Sequence, residues 1–259
     1  MKEIYKSDFA EYLLCLALDV GEGMLKNGGE VSRVENTVER ICKAYGAVHV
    51  EVFSIISVIH AAVRMPDGSY SSQMRRVKSS SNDLYRLELF NGISREICES
   101  TPPLETVEEK IKEIKKRKNY PIWVKVVACA VASAAFALFF GGKAVDIALA
   151  ALVGVAIAII DVLIPASINP MAKTVLSSFA AGLMSYGAER FGFWGSSGTV
   201  MISALMLLVP GTAFGTALRD LICGDLLAGT LKTVQAVLSA LMIAAGYMLS
   251  VAVLGGSIN

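Results

Sequence analysis

Charge is what this chain distributes most unevenly. Of its 24 Lys and Arg and its 23 Asp and Glu, 18 of each lie in the first 121 residues, leaving six basic and five acidic groups for everything after. A second half so poor in charge cannot be hidden behind a first half of similar size. The two therefore need different solvents, water for one and lipid for the other. A mean hydropathy of +0.56 over the chain agrees. The near-neutral balance of +1 gives no reason to expect nucleic acid as a partner. Five cysteines (Cys15, Cys42, Cys98, Cys129, Cys223) without CxxC spacing read as scattered small thiols, not as a disulfide framework or zinc site. The opening MKEIYKSDFAEYLL has acidic residues where a signal peptide needs its apolar run, which keeps the polar half in the cytoplasm.

Within the polar half, Phe9, Tyr12, Leu13, Leu16, Ala17, Val20, Met24 and Leu25 recur at helical spacing. Asn27-Gly28-Gly29 ends that helix, and Ser32-x-x-Glu35 reads as the capping box of a second, with Val34, Val38, Ile41 and Tyr45 inward. The period then changes to two. Val48, Val50 and Val52 alternate with His49, Glu51 and Phe53, residues 55–63 read as a central strand, Pro66-Asp67-Gly68 as a turn, and residues 70–77 as an edge strand. Asn82 or Asp83 caps a closing helix with Leu84, Leu87, Phe90, Ile93 and Ile97 facing in. Residues 1–100 thus form a small α+β domain. Residues 101–121 form a proline linker and an amphipathic helix ending in KIKEIKKRK, a basic cluster that marks the cytoplasmic face.

Residues 122–259 make the membrane domain. Apolar stretches at 122–140, 144–164, 172–188, 199–216 and 233–254 predict about five crossings, each roughly the length the hydrocarbon layer demands. The fold class is an α-helical polytopic membrane protein with an N-terminal cytoplasmic α+β domain of two helices, a three-stranded antiparallel sheet and a closing helix. Five crossings from inside put the C-terminus outside. Asp146 reads as interfacial near the outer turn, and Glu189-Arg190-Phe191-Gly192-Phe193-Trp194 as an outer loop with interfacial aromatics.

Two sets of residues could carry chemistry. Pro210-Gly211 interrupts an apolar segment, and Arg219, Asp220 and Asp225 follow it; Asp161 precedes a second break at Pro165 and Asn169-Pro170. Backbone freed at bilayer depth survives only where it is packed in protein or lines a wet cavity, and such broken helices are where transporters hold solutes. An ionisable group at a helix centre costs at least roughly 2.5 kcal/mol on insertion scales, so Asp161 needs a reason. Its candidate roles are proton carrier, partner of Arg219, or hydration of a helix end. Arg219 offers a fork for a carboxylate. If the broken ends converge, Asp161, Asn169, Pro170, Pro210, Gly211, Arg219, Asp220 and Asp225 form one substrate or coupling site. The plainer alternative leaves Arg219 and Asp220 paired with neighbours in an interfacial loop. A second candidate is the helix start at Gly28, Gly29, Glu30, Arg33 and Glu35, where backbone amides favour an anion, against a merely solvated cap. His49 and His60 fall in strands with no nucleophile elbow, phosphate loop or metal spacing beside them, so no enzyme activity, metal or cofactor is expected.

At GEGMLKNGGEVSRVENTVERI, VEVFSIISVIHAAV, RRVKSSSNDLYRLELFNGISREI, DVLIPASINP and LVPGTAFGTALRDLICGDLLAGTLK the chain resembles the threonine/serine exporter family, in the same order over residues 8–254. The resemblance implies a cytoplasmic domain fused to a bacterial inner-membrane transporter that moves small amino acids, or dicarboxylates, out of the cell. Full-length members carry a second module of further spans. Ending at Asn259, this chain is similar to half-size members that work with a separately encoded small multi-span membrane subunit, a pairing linked to succinate export. Implied partners are membrane lipid, a small polar solute (threonine, serine or a dicarboxylate) and a second copy or that small subunit. Without an ATP-binding motif the expected mechanism is proton-coupled secondary export. A membrane-anchored hydrolase and a regulatory or assembly subunit are the competing readings; five spans with broken helices among them exceed what an anchor requires.

Overall fold

The computed structural model describes residues 9–78, 81–118, 120–165, 168–190 and 196–255. Residues 191–194 of the outer loop expected at 189–194 lie outside them, as do positions 79, 80, 166 and 167. The chain divides into two compact units, one of residues 1–118 with 211–234 and one of residues 119–210 with 235–259.

In the first unit α1 (Phe9–Lys26) is the centre of the core. Leu13, Leu14, Leu16, Ala17, Leu18, Val20 and Met24 are all buried. They point around most of the helix, because α1 touches α2 (Val31–Ala44), α3 (Leu84–Ser100), α4 (Leu104–Lys116), β2 (Val58–Arg64) and β3 (Tyr70–Arg76). A one-sided apolar face would suit a surface helix; a helix this apolar is covered by neighbours on most sides. α2 meets α1 where Gly21 stands, since a Cβ there would come within 2.8 Å of Val38, and Phe90 of α3 fills the space over Gly23. The sheet is antiparallel in the order β1-β2-β3, with β1 at His49–Ile55. Val50 pairs with Val63 and Ile55 with Val58, so the chain turns at Ile56-Ser57 instead of running as one strand from residue 55. Ile59, Ala61 and Val63 are buried and alternate with partners facing outward. Gly68, at φ +87°, makes the turn into β3. α4 adds Leu104, Val107 and Ile111 to the same core.

The capping box does not form. α2 begins one residue before Ser32, with Glu30 at its N-cap and no side-chain cap bond there. Asp83 does cap α3, accepting from the Arg86 amide at 2.9 Å.

In the second unit α5 (Ile122–Phe139) and α6 (Ala144–Leu163) form a hairpin through Gly141-Gly142. They approach closely at Gly154, where an added Cβ would lie 2.6 Å from the Cys129 carbonyl oxygen. α7 (Pro170–Arg190) contacts α6 and α8 (Ser197–Leu205). Its small residues meet α10 (Leu226–Gly255): Ser178 Oγ donates to the Ile243 carbonyl at 2.6 Å, and Gly182 lies under Ser250. The serine-rich face of α7 therefore serves close helix contact. Asp146 is only 3% exposed; it accepts the Lys143 amide at 2.8 Å and the Ser196 amide at 2.7 Å, pinning two helix starts together. Its carboxylate is thus enclosed by protein.

Among the described residues three helices are long and apolar enough to cross a membrane: Ile122–Phe139, Ala144–Leu163 and Leu226–Leu254. The other two expected crossings do not meet that measure. α7 has 21 residues but carries Lys173 and several hydroxyls. The fourth is two short helices, α8 of 9 residues and α9 (Gly211–Ile222) of 12. The cause is Pro210, which supplies no amide and leaves residues 206–209 in tight turns. Residues 219–232 are not a loop: α9 runs to Ile222, and α10 starts at Leu226, earlier than residue 233.

Candidate functional site

In the first unit the tight stretch after α1 builds a platform. Gly28 takes φ +93°, and a Cβ there would lie 2.9 Å from Asn82 Oδ1. Gly29 passes so near the Met24 carbonyl that only glycine fits, and its amide donates to that carbonyl at 2.9 Å. Buried Asn27 donates to the Gly23 carbonyl, and the Ser81 amide donates to that of Lys26. Glu30 and the start of α2 are thereby fixed.

The α9–α10 elbow belongs to this unit. Gly224, at φ +95°, reverses the chain, and Gly229 packs on Leu221 so tightly that a Cβ would overlap it. Arg219 Nη1 lies 2.9 Å from Glu30 Oε1, Asn82 Nδ2 donates to Thr212 Oγ1 at 2.9 Å, and Ala228 is buried in the core of the first unit. Asp220 is fully buried and paired at 2.6 Å with Lys232 through Oδ2. Its Oδ1, like Asp225 Oδ2, is buried without a hydrogen-bond partner among the described residues. Buried oxygens of this kind cost about 1–3 kcal/mol each, more when charged, so something held there would be favoured. Glu35 is half-buried and accepts the Ser54 amide at 2.5 Å. Burial pushes its carboxyl above the ordinary range and nearby Asp225 pushes the same way, against the pull of the Ser54 bond. Arg33 is exposed and has no ion-pair partner among the described residues.

The second unit holds the rest. Asp161, near the end of α6, is paired with both Lys125 of α5 and Lys173 of α7, and its carbonyl accepts from Lys173 at 2.6 Å. Asn169 Oδ1 accepts the Met171 amide at 2.9 Å, and Pro170 occupies the first position of α7, so both start that helix. Pro210 closes the turn after α8.

The residues of the expected single site fall in both units. Arg219, Asp220, Asp225 and Gly211 share a unit with Gly28, Gly29, Glu30, Arg33 and Glu35, a grouping the sequence offered as two separate candidates. Asp161, Asn169, Pro170 and Pro210 fall in the other unit. Sequence reasoning missed Lys125, Lys173 and Lys232 as partners of these aspartates. A signal for Lys125 existed: it and Asp161 lie nearly equidistant from the Gly141-Gly142 turn, so a hairpin brings them level.

His49 and His60 are exposed, bonded to Glu51 and Ser72. An α+β unit joined to helices of membrane-crossing length, with ionisable groups at a broken helix, defines a polytopic membrane protein. Residues 15–254 match the family described as "Putative threonine/serine exporter", and the chain belongs to that family, which is a family of transporters. No curated protein and no solved structure matches it.

Proposed function

We propose that this chain is a subunit of a secondary, proton-coupled exporter that moves threonine or serine across the bacterial inner membrane. In this reading the α9–α10 elbow is the solute site. The carrying observation is the pair of unpartnered buried oxygens, on Asp220 and Asp225, in the elbow that also holds Arg219. A zwitterion needs both signs. Arg219, released from Glu30, takes the carboxylate bidentately, and the two aspartates take the ammonium. Glu35 supplies the coupling proton, because its carboxyl is already shifted toward the protonated form and neighbours Asp225. Asp161, held between two lysines, secures α5, α6 and α7 instead of carrying the proton.

The first unit faces the cytoplasm, in keeping with the basic run before α5, and with α7 and the α8 segment crossing beside the three long apolar helices the C-terminus lies outside. The chain works with a second copy or with a separate small multi-span subunit. A dicarboxylate such as succinate is the second reading. Lys125 and Lys173 beside one Asp161 leave an excess positive charge in the second unit, which suits an anion.

Efflux of labelled threonine, serine and succinate from cells expressing the chain, with and without a small membrane partner, tests both. Threonine or serine efflux that depends on Arg219 is the expected result. Succinate efflux alone, dependent on Lys125 and Lys173, would replace the first reading with the second.

A further inference from the structure

The first unit has a cavity away from the elbow, of about 620 Å³, lined by Phe9, Tyr12, Tyr45, Thr101–Pro103, Leu104 and Glu105. That is within the size range of small-molecule sites. Its chemistry is one-sided. Among the described residues of its lining three are aromatic, the charged one is the carboxylate of Glu105, and none is basic. Glu108 stands behind Tyr12, accepting its hydroxyl at 2.9 Å.

The walls are fixed in advance. Tyr45 donates its hydroxyl to the Pro102 carbonyl at 2.5 Å, which ties α2 to the segment before α4. Phe9 and Tyr45 meet edge to face, with centroids 6.4 Å apart and planes at 64°, so the two rings form a corner. Phe9 is 51% exposed although it is a large apolar side chain at the end of a buried helix. Thr101 takes φ +41°, the only positive φ at a non-glycine residue among those described, and turns the chain into the prolines of the rim. A threonine held in the left-handed region costs of order 1–3 kcal/mol, and such strain gathers at ligand clamps.

We propose that this cavity binds an organic ammonium ion clad in apolar groups, such as a methylated amine. Ring faces attract a cation through their quadrupole, and clustered aromatic rings recognise quaternary ammonium groups. Glu105 supplies the countercharge. A free amino acid fits poorly, since its carboxylate would meet Glu105 with no cation among the described lining residues to offset it. The site is therefore distinct from the solute site at the elbow and gives the soluble unit a ligand of its own.

Choline is the probe, titrated calorimetrically into the full chain in a maltoside detergent free of choline headgroups. Its neutral isostere 3,3-dimethylbutan-1-ol and sodium chloride serve as comparators. Saturable choline binding is expected, with the isostere about tenfold weaker and sodium without effect. Phe9→Leu and Glu105→Gln sit at exposed positions and leave folding intact, which an unchanged melting temperature checks. Each should weaken choline by about fivefold to tenfold. No saturable choline binding by the wild type, equal binding of the isostere, or wild-type affinity in both variants would overturn the proposal.

Discussion

Arg219 and Asp220 are neighbours in sequence and opposites in energetics. Arg219 is 64% exposed where it meets Glu30, and an exposed ion pair contributes about 0.2–1 kcal/mol. Asp220 is fully buried against Lys232, and breaking a buried pair from one side costs about 3–5 kcal/mol because the partner is left charged and alone. Arg219→Ala should therefore leave the unfolding midpoint nearly unchanged while abolishing efflux, whereas Asp220→Asn should lower the midpoint sharply. Both midpoints are measured in detergent; equal losses of stability would contradict the burial difference. Glu35 belongs to the same scale. Its folded carboxyl sits above its unfolded value, so the folded state binds more protons, and stability is gained as pH falls through that window and lost as pH rises. Glu35→Gln keeps an oxygen for the Ser54 amide. Its melting temperature should vary less with pH than that of the wild type from the ordinary carboxylate range upward, and should be no lower at pH 7. A pH profile identical to wild type would remove Glu35 from the coupling role.

At the scale of elements, local pattern foretold most of what formed. Alternation at Val48, Val50 and Val52 marks a strand because successive side chains face opposite ways, and the glycines at 28, 46 and 68 stand at positive φ where elements end. The misplaced helix start at Ser32 has a plain cause. Glu35 satisfies a β1 amide instead of reaching back to its own helix, a choice made by a distant strand. The glycines of the membrane half were not equally legible, since sequence cannot say which one is covered. Gly154→Ala would push a methyl into the Cys129 carbonyl, and overpacking of this kind costs roughly 1–3 kcal/mol. Gly215→Ala meets nothing within 4 Å and should stabilise α9 slightly, since glycine in a helix costs roughly 0.5–1 kcal/mol relative to alanine. Opposite shifts in melting temperature are expected; equal shifts would mean that α5 and α6 do not pack at Gly154.

For the whole molecule, the cysteines offer a test of orientation. Cys42 is buried and its thiol is pushed up to about 12, so it stays inert, while Cys223 is exposed in the α9–α10 elbow. A membrane-impermeant maleimide should label Cys223 in inverted inner-membrane vesicles and not in intact cells, with the signal lost in Cys223→Ser. Labelling from outside the cell would reverse the proposed orientation and move the elbow from the cytoplasmic side. The uneven spread of charge, the order of helices and strands up to α4, and the break at Pro210 were determined by the sequence alone, because charge density, periodicity and a missing amide act over a few residues. Only the tertiary structure decided that the helix after the break joins the first unit, that Glu30 meets Arg219, and that Asp161 sits between Lys125 and Lys173. Those pairings join residues far apart in the chain, and each charge finds its partner through the packing of other elements, which no local pattern records.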